Sequence, residues 1–260
     1  QDIDVICGLL LRADVRLVTL LGTGGIGKTH LAMEAGRRVH EHFGSGVCFI
    51  ALDALRDSTL VLPTIVEALG IQVDVQSSLL LPLKMFLRKK HLLLLLDSFE
   101  YVVEAASLIE ELVQDCPNLK VLITSRQRLN IRAEQPFGVQ PLKLPDLSSL
   151  PEVEKLTDYS AIDLFVRRAQ KALSSFKLTL VNAQTIAELC VRLDGIPLAI
   201  ELAAARIKVL SPQALLTRLT QGTQVLKNNL RDIPDRQRTL DLTIDWSYEL
   251  LDEREKWVFR

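Results

Sequence analysis

The octapeptide Gly22-Thr23-Gly24-Gly25-Ile26-Gly27-Lys28-Thr29 constrains this chain more than any other stretch. It fits G-x-x-x-x-G-K-[ST], and its flanks fit as well. Arg16-Leu17-Val18-Thr19-Leu20-Leu21 is a short, mostly apolar run that reads as a buried strand. His30-Leu31-Ala32-Met33-Glu34-Ala35 reads as the opening of a helix. Strand, glycine turn and helix in that order make a phosphate cradle. Glycine lets the backbone turn tightly with its N–H groups facing an anion, and the helix adds its positive end. The cradle is predicted at Gly24, Gly25, Ile26, Gly27, Lys28, Thr29 and His30. In this pattern Lys28 reaches the β- and γ-phosphates and the Thr29 hydroxyl holds Mg²⁺.

The residues around the cradle alternate strand and helix signals, which predicts an α/β fold with a parallel sheet and crossover helices. Strands are expected at 17–21, 47–52, 91–96 and 120–124, with a short fifth at 137–142. Helices are expected at 3–12, from the cradle to about 43, and at 59–69, 79–89 and 103–114. Pro136, Pro141, Pro145 and Pro151 then cluster, and this punctuation marks a domain boundary near 145–155. Beyond it the pattern is helical, at 160–172, 180–193, 196–209 and 212–220. A linker is expected near 221–237 and a further helix from about 239.

Two strand ends complete the phosphate chemistry. The run Leu92-Leu93-Leu94-Leu95-Leu96-Asp97 suits a strand buried on both faces that delivers an acid to the sheet edge beside the cradle. Asp97 there is a Mg²⁺ ligand, acting through a water. The strand at 120–124 leads into Ser125-Arg126. In the P-loop branch with an inserted central strand, that edge lies beside the γ-phosphate. Arg126, always charged and able to fork onto phosphate oxygens, is its candidate sensor.

Composition excludes several other classes. Lys plus Arg (31) and Asp plus Glu (32) nearly cancel among 260 residues, so the fragment has no basic footprint for nucleic acid. No secretory signal or membrane span is visible. Cys7, Cys48, Cys116 and Cys190 form no C-x-x-C pair and read as small apolar groups in a reducing, cytoplasmic setting. The four histidines have no metal-ligand spacing.

Taken together, GTGGIGKT, LLLLLDSFE, ITSR, GIPLAIELAAAR and DRQRTLDLTIDWSYELL resemble the NB-ARC type of STAND ATPase, in particular its bacterial, regulator-like members. The resemblance runs from about Val15 to Leu251. It implies a P-loop NTPase domain of inserted-strand (ASCE-type) order over 1–150. A small helical domain follows over 151–228, and then the start of a winged helix over 229–260. It implies ATP and ADP as ligands with Mg²⁺, and Pro197 packed near the adenine. It also implies a slow switch in which ADP holds the module closed and ATP opens it for homo-oligomerisation. The partners are then sensor and effector domains outside these residues, and the chain is read as a piece of a longer protein. Where many relatives carry a second acid after the magnesium Asp, this chain has Ser98, and its next acid is Glu100. Glu100 is therefore the candidate that orients the attacking water. The catalytic set is Lys28, Asp97, Glu100 and Arg126, and the metal set is Thr29 and Asp97. Two other readings stay open: a motor-like AAA+ remodelling ATPase, and an ADP-binding module without turnover.

Overall fold

The computed structural model describes residues 2–72 and 78–227, with side chains through residue 220. The expected winged-helix segment lies outside the described residues. Five strands, β1 (Leu17–Leu21), β2 (Val47–Ala51), β3 (Leu92–Asp97), β4 (Leu119–Ser125) and β5 (Glu134–Gly138), form one sheet in the order β2-β3-β4-β1-β5. Every neighbouring pair is parallel. β4 lies between β1 and β3, which is the inserted-strand order of a P-loop α/β fold.

The leucine run explains the depth of β3. All of its positions are buried, because helices cover both faces of the sheet. Leu92, Leu94 and Leu96 join Leu119, Val121 and Ile123 of β4 in one core. That core takes in α3 (Val61–Ala68), α4 (Leu80–Leu87) and α5 (Ala106–Asp115). Burying one such leucine fully is worth roughly 1.5–3 kcal/mol. On the other face α2 (Lys28–Val39) packs against β3 and β4, and α1 (Asp2–Leu11) packs on α2. Gly36 lets α2 approach closely, since a Cβ there would lie 2.7 Å from Leu95 Cδ1.

Register sets the functional edge. Leu20 pairs with Thr124, Leu21 with Ser125, and Leu96 with Ile123. The carboxyl ends of β1, β3 and β4 are therefore level, and each chain leaves its strand at the same rim. The expected fifth strand at 137–142 is corrected to Glu134–Gly138, with Val139 N–H extending the ladder to Leu21 O at 2.8 Å. Pro136 reads as a break in sequence, yet it sits inside β5. It is tolerated because β5 is an edge strand, where one side of the backbone needs no partner.

The chain divides into two compact units. Among the described residues, one holds those of 2–22 and 27–139, and the other holds Thr23–Ile26 and those from Gln140 on. The second unit is helical: α6 (Val153–Leu156), α7 (Ser160–Ala172), α8 (Leu180–Arg192), α9 (Pro197–Ala205) and α10 (Pro212–Lys227). The one-turn α6 was not expected. α10 runs through Lys227, so the expected linker at 221–237 begins as helix. α7 packs on α9 and α8 on α10, with the Phe165 and Phe176 rings 6.3 Å apart in its core. α8 opens on a capping box, Thr179 with Asn182. It closes on a Schellman motif, with Gly195 N–H donating to Cys190 O at 3.2 Å and Asp194 N–H to Val191 O at 2.9 Å. Asp194 occupies the left-handed position that glycine usually takes (φ 52°).

Gly195 is left-handed too, at φ 64°, and a Cβ on it would stand 2.5 Å from Leu142 O. Leu142 N–H in turn donates to Gly195 O at 2.9 Å. Gly70 has a similar φ of 65° but open space around it. Gly70→Ala should therefore cost about 1–2 kcal/mol, the left-handed penalty alone. Gly195→Ala should cost clearly more, because backbone must also move. Urea denaturation of the two variants checks this, and equal losses would show that the Leu142 contact does not matter.

Candidate phosphate site

The glycine turn has the backbone that its sequence demands. Gly25 has φ 72° and Gly27 has φ 96°, both left-handed. Gly27 is the N-cap of α2, and the first helical bond runs from Leu31 N–H to Gly27 O at 3.0 Å. The N–H groups of Lys28, Thr29 and His30 thus form the first turn, where no intrahelical acceptor exists. That is the helix end an anion prefers.

Lys28 is buried, and its Nζ donates to Gly22 O at 2.8 Å. Burial pushes its pKa below the ordinary lysine value. Glu100 pulls it back up, Arg126 adds to the lowering, and Asp97 raises it. Lys28, Glu100, Arg126 and Asp97 therefore share one electrostatic neighbourhood.

Asp97 is the meeting point of three elements. Its Oδ1 accepts from Thr29 Oγ1 of α2 at 2.8 Å and from Thr124 Oγ1 of β4 at 2.6 Å. Its Oδ2 has a weak contact, from Ser98 Oγ at 3.4 Å. A hydroxyl and a carboxylate adjacent at a phosphate cradle are hard oxygen donors suited to Mg²⁺, which takes one or two protein ligands and completes its shell with water and phosphate. No group of three or more His, Cys, Asp or Glu among the described residues could hold a metal by itself. The residues present thus fit a nucleotide-borne magnesium rather than an all-protein cage.

Thr124 was not anticipated, since threonine in a strand reads only as a good strand former. Its Oγ1 donates to Asp97 and accepts from Ser98 N–H at 2.9 Å. Ser98 itself is left-handed at φ 63°, a conformation that costs a non-glycine residue about 1–2 kcal/mol. The turn it makes leads into a 3-10 turn at Phe99–Tyr101. That turn brings Glu100, not residue 98, back over the site, where Glu100 Oε1 accepts from Arg126 Nε at 3.0 Å. The Glu100 side chain is 12% exposed and that of Arg126 is 50% exposed. Glu100 Oε2 is buried without a hydrogen-bond partner among the described residues.

Of the other expected residues, His30 is exposed and Ile26 buried. Pro197 is the first residue of α9, as its fixed φ favours. Within the second unit, Leu198 N–H donates to Gly25 O at 3.2 Å. Cys116 and Cys190 are buried and all four thiols are free. Burial pushes Cys190 up to about 12, which makes it inert.

The NB-ARC domain model matches residues 1–140, more than half of the chain. The chain belongs to the NB-ARC family. It is 36% identical over 251 residues to Rv0890c of Mycobacterium tuberculosis (strain H37Rv), named as a candidate HTH-type transcriptional regulator. That alignment covers 96% of this NB-ARC chain but 27% of the relative. It is 34% identical over 247 residues to an uncharacterized protein of the same organism, Rv0894, covering 95% and 60%. Among solved structures, Cdc6p of Pyrobaculum aerophilum aligns with a TM-score of 0.52 at 16% identity, over 88% of this chain and 61% of that one. This likeness shows the shared P-loop fold. A STAND protein with a tetratricopeptide repeat sensor from Pyrococcus horikoshii aligns with a TM-score of 0.46 at 14% identity, over 91% and 38%. As an NB-ARC domain, the chain is a nucleotide-binding ATPase module.

Thr124→Val keeps the shape of β4 but strips Ser98 N–H of its acceptor and Asp97 of a donor. An unsatisfied buried donor costs roughly 1–3 kcal/mol. The unfolding free energy from urea denaturation should fall by that amount, and Thr124→Ser should recover most of it.

Proposed function

We propose that this chain is the regulatory core of a larger signalling or transcription-regulating protein, a switch that binds Mg-ATP or Mg-ADP and hydrolyses ATP slowly. The observation that carries this reading is the Thr29–Asp97 pair, 2.8 Å apart, set beside buried Lys28 at the end of α2. In the proposal the turn from Gly24 to His30 cradles the phosphates. Lys28 neutralises charge on the β- and γ-oxygens, Thr29 and Asp97 hold Mg²⁺, and Arg126 reads the terminal phosphate. Mg²⁺ bound there would withdraw charge from the phosphate oxygens. Pro197 is the residue assigned to the adenine side. Catalysis of this kind is positioning plus electrostatics, so its rate depends on how well an acid orients water.

The relatives support a modular setting, since the chain spans 27% of the curated regulator that it matches. Sensor and effector domains outside these residues, and ATP-dependent homo-oligomers, belong to the same proposal. So does a cytoplasmic location, although the observation itself is only that no described helix is long and apolar enough to cross a membrane. A remodelling AAA+ ATPase and an ADP-binding module without turnover are the competing readings.

One experiment separates them: the nucleotide that copurifies with the chain is identified, calorimetry is run with Mg-ADP and Mg-ATP, and steady-state turnover is measured. The switch predicts binding of both and turnover well below roughly 1 s⁻¹, the low end of ordinary enzymes, abolished by Lys28→Ala. Turnover above that value favours a motor, and binding without turnover favours the inert module. A flat trace for both nucleotides on folded protein refutes the reading.

A further inference from the structure

The Arg126–Glu100 contact joins the two residues that a γ-phosphate would need separately. Arg126 lies on the exit of β4 and Glu100 on the exit of β3, 26 positions apart in sequence, and their side chains meet at 3.0 Å. The contact uses only one oxygen of the carboxylate. Oε2 is buried and bonded to nothing among the described residues. A buried acceptor oxygen left without a donor is costly. Arg126 is half exposed, which leaves its guanidinium room to move.

We propose that Arg126 and Glu100 form a latch that the terminal phosphate of ATP opens, and that Glu100 is then the acid that orients and deprotonates the attacking water. The inference rests on the nucleotide reading above and deepens it. With ADP, no terminal phosphate competes for the guanidinium, and Glu100 stays engaged through Oε1. With ATP, Arg126 turns its N–H groups to the γ-oxygens, which form a better forked acceptor than a single carboxylate oxygen. Freed Glu100 accepts a hydrogen bond from a water at Oε2. The water oxygen attacks the γ-phosphorus, its proton passes to the Glu100 carboxylate, and the bond from phosphorus to the β,γ-bridging oxygen breaks. The bridging oxygen leaves with the electron pair as part of ADP. Inorganic phosphate departs, Glu100 returns its proton to solvent, and the ion pair closes again. The left-handed turn at Ser98 is what delivers this acid, in a chain that carries no acid at position 98.

The test is Glu100→Gln in the full chain, with Arg126→Ala beside it. Each is probed by calorimetry with Mg-ADP and with a non-hydrolysable Mg-ATP analogue, and by single-turnover hydrolysis of Mg-ATP. Circular dichroism melts confirm folding. Glu100→Gln keeps the shape but weakens the pair. Hydrolysis should fall about 100-fold or more, the usual loss when a general base is removed. Affinity for the ATP analogue should rise about two- to fivefold, since binding no longer has to break a partly exposed ion pair. Affinity for ADP should not change. Arg126→Ala should lower affinity for the ATP analogue and leave ADP unchanged. Parent-like hydrolysis in Glu100→Gln overturns the latch, as does an equal shift of ADP and ATP-analogue affinity in either variant, the mark of a merely structural ion pair. A parent chain that binds neither nucleotide would remove the nucleotide reading and the latch with it. Normal binding by the parent with an unaffected Glu100→Gln removes the latch alone.

Discussion

One carboxylate oxygen holds the functional edge together. Asp97 Oδ1 accepts a hydroxyl from the helix after the glycine turn and another from the neighbouring strand. Because β3 is buried along its whole length, the acid at its end cannot wander. The two hydroxyls are held in place by α2 and by the strand register. Three separately built elements thus share one acceptor, and the glycine turn, the end of β3 and the end of β4 are fixed relative to each other without any loop having to be rigid by itself. The cost of burying the carboxylate is offset by these charge-assisted bonds, which are stronger than neutral ones.

Much of this was legible in the chain. A glycine turn between a strand and a helix specifies its own backbone, and Gly25 and Gly27 take the left-handed values that the motif needs. Five leucines followed by an aspartate can hardly be anything but a buried strand with a polar end, and β3 is that. The inserted-strand order followed from the family resemblance, and the structure has it, with β4 between β1 and β3. The family's G-x-P punctuation marked where α8 ends and α9 begins: α8 stops three residues before Gly195 and α9 opens on Pro197.

What sequence could not supply was pairing across distance. Thr124 is an ordinary strand residue until its neighbour across the sheet is known. The junction of Arg126 with Glu100 depends on a left-handed serine, and serine carries no signal for that conformation. Pro136 was misleading for a related reason. A proline forbids a central strand but not an edge, and only the sheet order tells which of the two it occupies. The short α6 is below the length at which helical periodicity can be seen.

Gly36 gives this architecture an unplanned sensitivity. It seats α2 on Leu95 with no side chain between them, two turns, or roughly 12 Å, along the helix from Lys28. The helix is stiff, so that point behaves as a fulcrum. A methyl group introduced there would press on the Leu95 side chain under the last turn of the helix, and any tilt that followed would move the amine and the threonine hydroxyl together while touching neither. Loss of function at this position would look like damage to the site although the lesion lies wholly in the packing beneath it.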